Sequence, residues 1–94
     1  MAAEPPSRGS WWVYMLRCGD GTLYTGIALD VAARLAQHRA GTGARYTRGR
    51  APLALVYQEP ASDRAEASRR EAALKRLSRT AKLALVGGQR TGMP

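Results

Sequence analysis

The chain's first hydrophobic run, Trp11 to Leu16 closed by the polar Arg17 (WWVYMLR), is rich in aromatic and β-branched residues. That pattern predicts a strand, with Val13 and Met15 on one face and Trp12, Tyr14 and Leu16 on the other. Cys18-Gly19-Asp20-Gly21 is turn chemistry, and Thr22 to Gly26 reads as the returning strand of a hairpin. Asp30 then suits the N-cap of a helix running to about Ala40, where Gly41 stops it; Val31 and Leu35 face the core. Residues 41–50 (GTGARYTRGR) form a glycine-rich basic loop. Pro52 opens a short apolar strand, Leu53 to Tyr57, which Pro60 ends. Asp63 with Glu66 resembles a capping box and starts a helix to about Leu77, whose apolar stripe is Ala67, Ala73, Leu74 and Leu77. Ser78 caps a last helix, Arg79 to Val86. The order hairpin, helix, strand, helix, helix is buried most simply as an α+β fold: a three-stranded, mainly antiparallel sheet flanked by three helices.

The 94 residues allow one domain. Residues 1–10 lack any period and read as a flexible lead-in, 11–86 as the folded domain, and 87–94 (GGQRTGMP) as a frayed tail. Apolar residues at 45% and charged residues at 23% exclude wholesale disorder. The charge is lopsided: 15 Lys+Arg against 7 Asp+Glu give +8, which attracts polyanions. Nucleic acid and anionic membrane are the leading partner classes. The membrane is the weaker, because no predicted helix carries large apolar anchors on one face. Cys18 is the only cysteine, so neither a disulfide framework nor a cysteine-rich zinc site can form within the chain. With no apolar signal segment at the N-terminus, the expected location is the cytoplasm.

Four groups of residues could carry chemistry. Arg34 and His38 stack one turn apart on a helix, roughly 6 Å from each other. An arginine beside a histidine favours the neutral imidazole, and the pair suits a phosphate: Arg34 binds its oxygens and His38 moves a proton. An ordinary exposed helix face would look the same. Tyr14 and Tyr24 lie on one face of the hairpin, with Gly26 following the second; both phenols can point into one cleft, or simply fill the core. Glu71 is a rare acid among Arg69, Arg70, Lys75 and Arg76. It is either an ion-pair partner of Lys75 or a ligand for a hard cation such as Mg²⁺. In the basic loop, glycine lets backbone approach phosphate, Arg45, Arg48 and Arg50 neutralise it, and Tyr46 can stack on a base.

The order WVYML at 12–16, YTG at 24–26, Arg34 and His38 on the next helix, then Glu71 followed by Leu74-Lys75, resembles the GIY-YIG nuclease superfamily. The tracts GTGARYTRGRAPLALVYQE and ASRREAALKRLSRTAKLALV look closest to its small stand-alone bacterial members. The resemblance covers residues 11 to about 86 and implies a metal-dependent endonuclease acting on nucleic acid, DNA first. It implies that Tyr14 and Tyr24 position or deprotonate the attacking water, Arg34 holds the phosphate, His38 shuttles a proton, and Glu71 binds one Mg²⁺ or Mn²⁺. Lys75 joins Arg45, Tyr46, Arg48 and Arg50 as a nucleic-acid contact, and Gly26 is structural. Trp12 and Val13 depart from the Gly and Ile of the first triplet, and Ile27 stands where the excinuclease branch of the superfamily has Lys. Two rivals follow from the same residues. One is a binding module with decayed chemistry, whose affinity falls steeply with salt. The other is a protein-interaction domain with no nucleic-acid affinity.

Overall fold

In a computed structural model, which describes residues 10–91, the chain runs β1 (Trp11–Arg17), β2 (Leu23–Ala28), α1 (Val31–Arg39), β3 (Ala54–Ala61), α2 (Arg64–Lys75) and α3 (Arg79–Thr91). The three strands form one antiparallel sheet in the order β2-β1-β3, so the expected α+β architecture is the observed one. Strand alternation divides the apolar residues as expected. Val13 and Met15 join Tyr57, Ala61, Ala67 and Leu74 under α2 and α3, while Tyr14 and Leu16 join Ala28 and Val31 under α1. Two cores therefore sit on the two faces of one small sheet.

The helix starts follow the capping residues. Asp30 accepts from the Ala33 N–H at 3.0 Å, Asp63 from the Glu66 N–H at 2.8 Å, and Ser78 from the Ala81 N–H at 3.1 Å. Glu66 reaches back to the Ser62 N–H, one residue before the cap, at 2.5 Å. Helix α1 ends at Arg39, and Gly41, at φ 83°, turns the chain back.

Four expectations need correction. Strand β3 does not end at Tyr57 but continues through Pro60 to Ala61. The sheet order makes β3 an edge strand, where a missing N–H can face solvent at no cost to the ladder. Helix α2 ends at Lys75 rather than Leu77, and Ala73 is exposed, so the buried stripe is Ala67 and Leu74 with Leu77 beside it. Helix α3 runs past Val86 to Thr91. Gly87 and Gly88 do not stop it, because Leu85 and Val86 anchor the preceding turn in the first core. The basic loop is not featureless: Arg45–Thr47 forms a single 3₁₀ turn. The lead-in over residues 1–9 and the last tail residues 92–94 lie outside the described residues.

Candidate active site

The site is built around a buried histidine. His38 occupies the last turn of α1 and is 2% exposed, which is not the exposed helix face that Arg34 and His38 alone would suggest. Its Nε2 lies 2.7 Å from the Tyr14 hydroxyl. Its Nδ1 lies 3.0 Å from the Thr47 hydroxyl and 3.3 Å from the Ala44 N–H. The glycine-rich loop can come this close because Gly43 lacks a side chain: a Cβ there would lie 2.5 Å from His38 Nδ1. Gly26 does the same for the hairpin. It pairs across from Tyr14, and a Cβ on it would lie 2.7 Å from the Tyr14 hydroxyl and 3.0 Å from Tyr24 Cε2. The tyrosine ring can fold over β2 only because that position is glycine.

Around this centre the aromatic rings form a continuous wall. Tyr24 lies diagonally across from Tyr14 on the same face, with ring centroids 6.3 Å apart, and meets His38 edge-on at 5.2 Å. Tyr46 stacks on Tyr24 at 5.8 Å, and the Arg50 guanidinium covers the Tyr46 ring at 4.2 Å. Arg50 also donates to the Tyr46 carbonyl at 2.7 Å and pairs with Asp20 in the hairpin turn. Arg50 is thus a latch between loop and hairpin, and Tyr46 is engaged by protein. Arg45 and Arg48 are exposed on the same loop.

Burial sets the electrostatics. Burial first, then Tyr24 and in smaller measure Glu71, push Tyr14 up to about 12 against the lowering pull of the Arg34 guanidinium. Tyr14 is 1% exposed, so its phenol is neither ionised at neutral pH nor open to water. His38 is held below its ordinary 6.5, first by burial and second by Arg34. The imidazole is neutral, as the Arg34–His38 spacing suggests, but the leading cause is tertiary. Tyr24, half-buried, is the phenol that solvent can reach.

Arg34 bonds Gln37 at 2.8 Å on the outer side of α1. Glu71 stands on α2, against the opposite face of the sheet, yet its charge is felt at Tyr14. Its side chain is 23% exposed and pairs with Lys75 at 3.2 Å. Among the described residues there is no group of three or more His, Cys, Asp or Glu that could enclose a metal. A lone, accessible carboxylate still suits Mg²⁺, which commonly takes one or two carboxylates and fills its shell with water and substrate phosphate. An ion there must compete with Lys75. The structure thus groups Tyr14, Tyr24, Arg34 and His38 around one centre, and Glu71, across the sheet, reaches it only through its charge at Tyr14. A separate cleft at the hairpin turn, lined by Arg17, Pro52 and Arg79, contains none of them.

Sequence reasoning missed Thr47 and Ala44. Thr47 is 2% exposed and supports His38 from below. One signal was available: a histidine facing a core needs a partner for its second nitrogen, and the loop directly after α1 is the nearest source.

A hairpin whose glycine lets one tyrosine fold over it, an Arg/His helix packed on that hairpin, and a carboxylate on a later helix make up one small α+β domain. The model of the GIY-YIG catalytic domain matches residues 10–84, and the chain belongs to that family. Its relatives are UPF0213 proteins. One from Desulfotalea psychrophila is 51% identical over 90% of this chain and 78% of its own length. Another, from Halobacterium salinarum, is 52% identical over 78% of this chain and 95% of its own. A solution NMR structure of a UPF0213 protein from Bacillus halodurans superposes with TM-score 0.54 at 45% identity, covering 83% of each chain. One of a protein from E. faecalis gives TM-score 0.59 at 35% identity, covering 87% of this chain and 88% of that one. The family's chemistry is that of nucleases acting on nucleic acid, and no helix among the described residues is long and apolar enough to cross a membrane.

Proposed function

We propose that this protein is a cytoplasmic endonuclease that hydrolyses phosphodiester bonds in DNA, structure-directed or weakly sequence-specific, with one divalent ion. The observation that supports the reading is the cluster on the α1 side of the sheet: Tyr14, Tyr24 and His38 meet ring against ring, Arg34 acts on both Tyr14 and His38, and Glu71 on α2 adds its charge at Tyr14. Arg34 supplies a fixed positive charge for the scissile phosphate. Glu71 is the ligand for Mg²⁺ or Mn²⁺, which when bound supplies charge to the phosphate and its leaving oxygen. Tyr24, the accessible phenol, orients the attacking water, whose proton leaves to solvent as the new P–O bond forms. Tyr14 and His38 lie beneath it as a buried hydrogen-bonded support. Arg45, Arg48 and Lys75 carry the backbone of the substrate, while Tyr46 and Arg50 hold the wall that the substrate slides against.

The test is a panel of labelled duplex, single-stranded and branched DNAs, with matching RNAs, incubated with Mg²⁺ or Mn²⁺. The wild type should cut at least one DNA, and Glu71→Ala should not, with an unchanged circular dichroism spectrum. Equal metal-dependent cutting by a clean Glu71→Ala preparation removes the carboxylate from the mechanism. The Glu71–Lys75 pair favours one other reading, a nucleic-acid-binding module without cleavage. It predicts salt-sensitive binding and no nicking with any divalent ion.

A further inference from the structure

The cleft at the hairpin turn is a second cationic concavity, apart from the site described above. It encloses about 370 Å³, within the roughly 300–1,000 Å³ of small-ligand sites. Its two charges come from distant parts of the chain: Arg17 closes β1 and Arg79 opens α3. Strand alternation puts Arg17 on the face of Val13 and Met15, opposite Tyr14 and about 10 Å further along β1. The cleft is therefore no continuation of the wall made by Tyr24 and Tyr46.

Its walls are fixed. Arg79 donates from Nη1 to the Gly21 carbonyl at 2.8 Å, which ties α3 to the turn and leaves its other N–H groups to offer. The Gly19 N–H donates to the Arg50 carbonyl at 2.6 Å, which ties the turn to the segment that carries Pro52. Arg17 is exposed and meets no carboxylate or other acceptor among the described residues. Asp20, the acid of the turn, is taken by Arg50 and Thr22. Two guanidinium groups thus share one concave wall with no negative charge to balance them, which focuses positive potential on whatever enters. The remaining lining is Cys18, Gly19, Gly21, Pro52 and Ala54. No side chain there can stack on a base or pair with its edge, so the cleft can hold a backbone but not read a sequence.

We infer that this cleft is a second phosphate site, in which Arg17 and Arg79 hold one sugar-phosphate unit of a nucleic-acid strand, whatever its base, outside the reaction centre. The inference rests on the nucleic-acid part of the reading above and not on cleavage. The hold is charge together with guanidinium–phosphate hydrogen bonds, and it adds to that of Arg45, Arg48 and Lys75 on other parts of the strand.

The test is binding, measured in EDTA so that no strand is cut. The probe is a single-stranded oligomer of stable abasic units, all sugar-phosphate and no base. Added to ¹⁵N-labelled wild type, it should move the Arg17 and Arg79 side-chain Nε–H signals. Arg17→Gln, which gives up no bond to the protein, should reduce the steepness of the log–log salt dependence by about 0.7, and Arg17→Gln/Arg79→Gln should reduce it by about 1.4 with at least about a tenfold loss of affinity. Arg64→Gln/Arg69→Gln removes the same charge from two exposed positions of α2 outside the cleft, where salt screens it, and should change affinity by less than about twofold. Unmoved Arg17 and Arg79 signals overturn the inference without any variant having to fold. So does a cleft double variant that binds no more weakly than the α2 one. Inorganic phosphate that saturates the two signals as tightly as the oligomer would make this a free-phosphate site, and a polyglutamate peptide that binds more tightly would make it a site for acidic protein; either result overturns the strand assignment. A cleft confirmed in a protein that cuts nothing leaves the inference standing and sinks the nuclease reading instead.

Discussion

Replacing Gly26 by alanine tests the geometry of the site without reference to any reaction. The new methyl would start 2.7 Å from the Tyr14 hydroxyl, 2.8 Å from its Cζ and 3.0 Å from Tyr24 Cε2. Ordinary van der Waals separation requires the Tyr14 phenol to retreat by about 0.7 Å. Tyr14 is 1% exposed and has nowhere open to go. If it moves away from His38, the 2.7 Å bond lengthens beyond useful hydrogen-bonding range, leaving a buried ring nitrogen and a buried phenol unpaired. If it moves toward His38, the contact becomes a collision. Overpacking costs roughly 1–3 kcal/mol, and orphaning a buried donor costs a similar amount. We expect Gly26→Ala to lose about 2–4 kcal/mol of stability. In urea unfolding followed by tryptophan fluorescence, a slope of about 1 kcal/mol/M would move the midpoint down by at least about 2 M. The single-histidine NMR signal should shift or broaden in parallel. A stability within about 0.5 kcal/mol of wild type, with the His38 signal unmoved, would refute the argument that glycine is required by the ring lying over it.

Other expectations concern parts of the molecule with separate physics. The Thr25 hydroxyl is buried at 3% exposure with no hydrogen-bond partner among the described residues, so Thr25→Val should stabilise by about 1 kcal/mol. For a domain of this size that is a rise of about 4–8 °C in melting temperature, and a fall would show that the hydroxyl has a partner. His38 is held below its ordinary 6.5, so the unfolded chain binds its proton first as pH drops. Its stabilising effect is complete above 6.5 and is lost as pH falls from there toward the folded value. Chemical denaturation between about pH 7 and 5 should show that slope in the wild type and not in His38→Gln. Glu59 is held below the usual carboxylate range first by Arg70, which grips it at 2.6 and 2.9 Å, and accepts from Tyr57 at 2.5 Å. Its contribution is present above about 4.5 and fades in acid, so Arg70→Gln should flatten the acid limb of the stability profile.

Much of this protein is written locally. Strand alternation assigned Val13 and Met15 to one core and Tyr14 and Leu16 to the other. Asp30, Asp63 and Ser78 marked the helix starts, because a capping side chain bonds an N–H only three residues away. The ordered tyrosines, arginine, histidine and glutamate were also legible as a series, since motif order survives without coordinates. The endpoints were less so. Pro60 and Gly87-Gly88 look like stops, and whether they act as stops depends on an edge position in a sheet and on Leu85 and Val86 finding a core.

Only the tertiary structure decided how the site works. Sequence spacing could set Arg34 beside His38, but not bury the imidazole, and burial is the larger reason it is neutral. Two equivalent-looking tyrosines became unlike because one is sealed and the other is open: desolvation acts on Tyr14 and leaves Tyr24 at the surface of the cluster. Arg50 and Tyr46 read as free nucleic-acid contacts until Asp20, 30 residues away, captured the one and Tyr24 stacked on the other. Local sequence dictates dihedral preferences and periodicity. Desolvation, and the choice of partner for a buried nitrogen, depend on residues that only the fold makes neighbours.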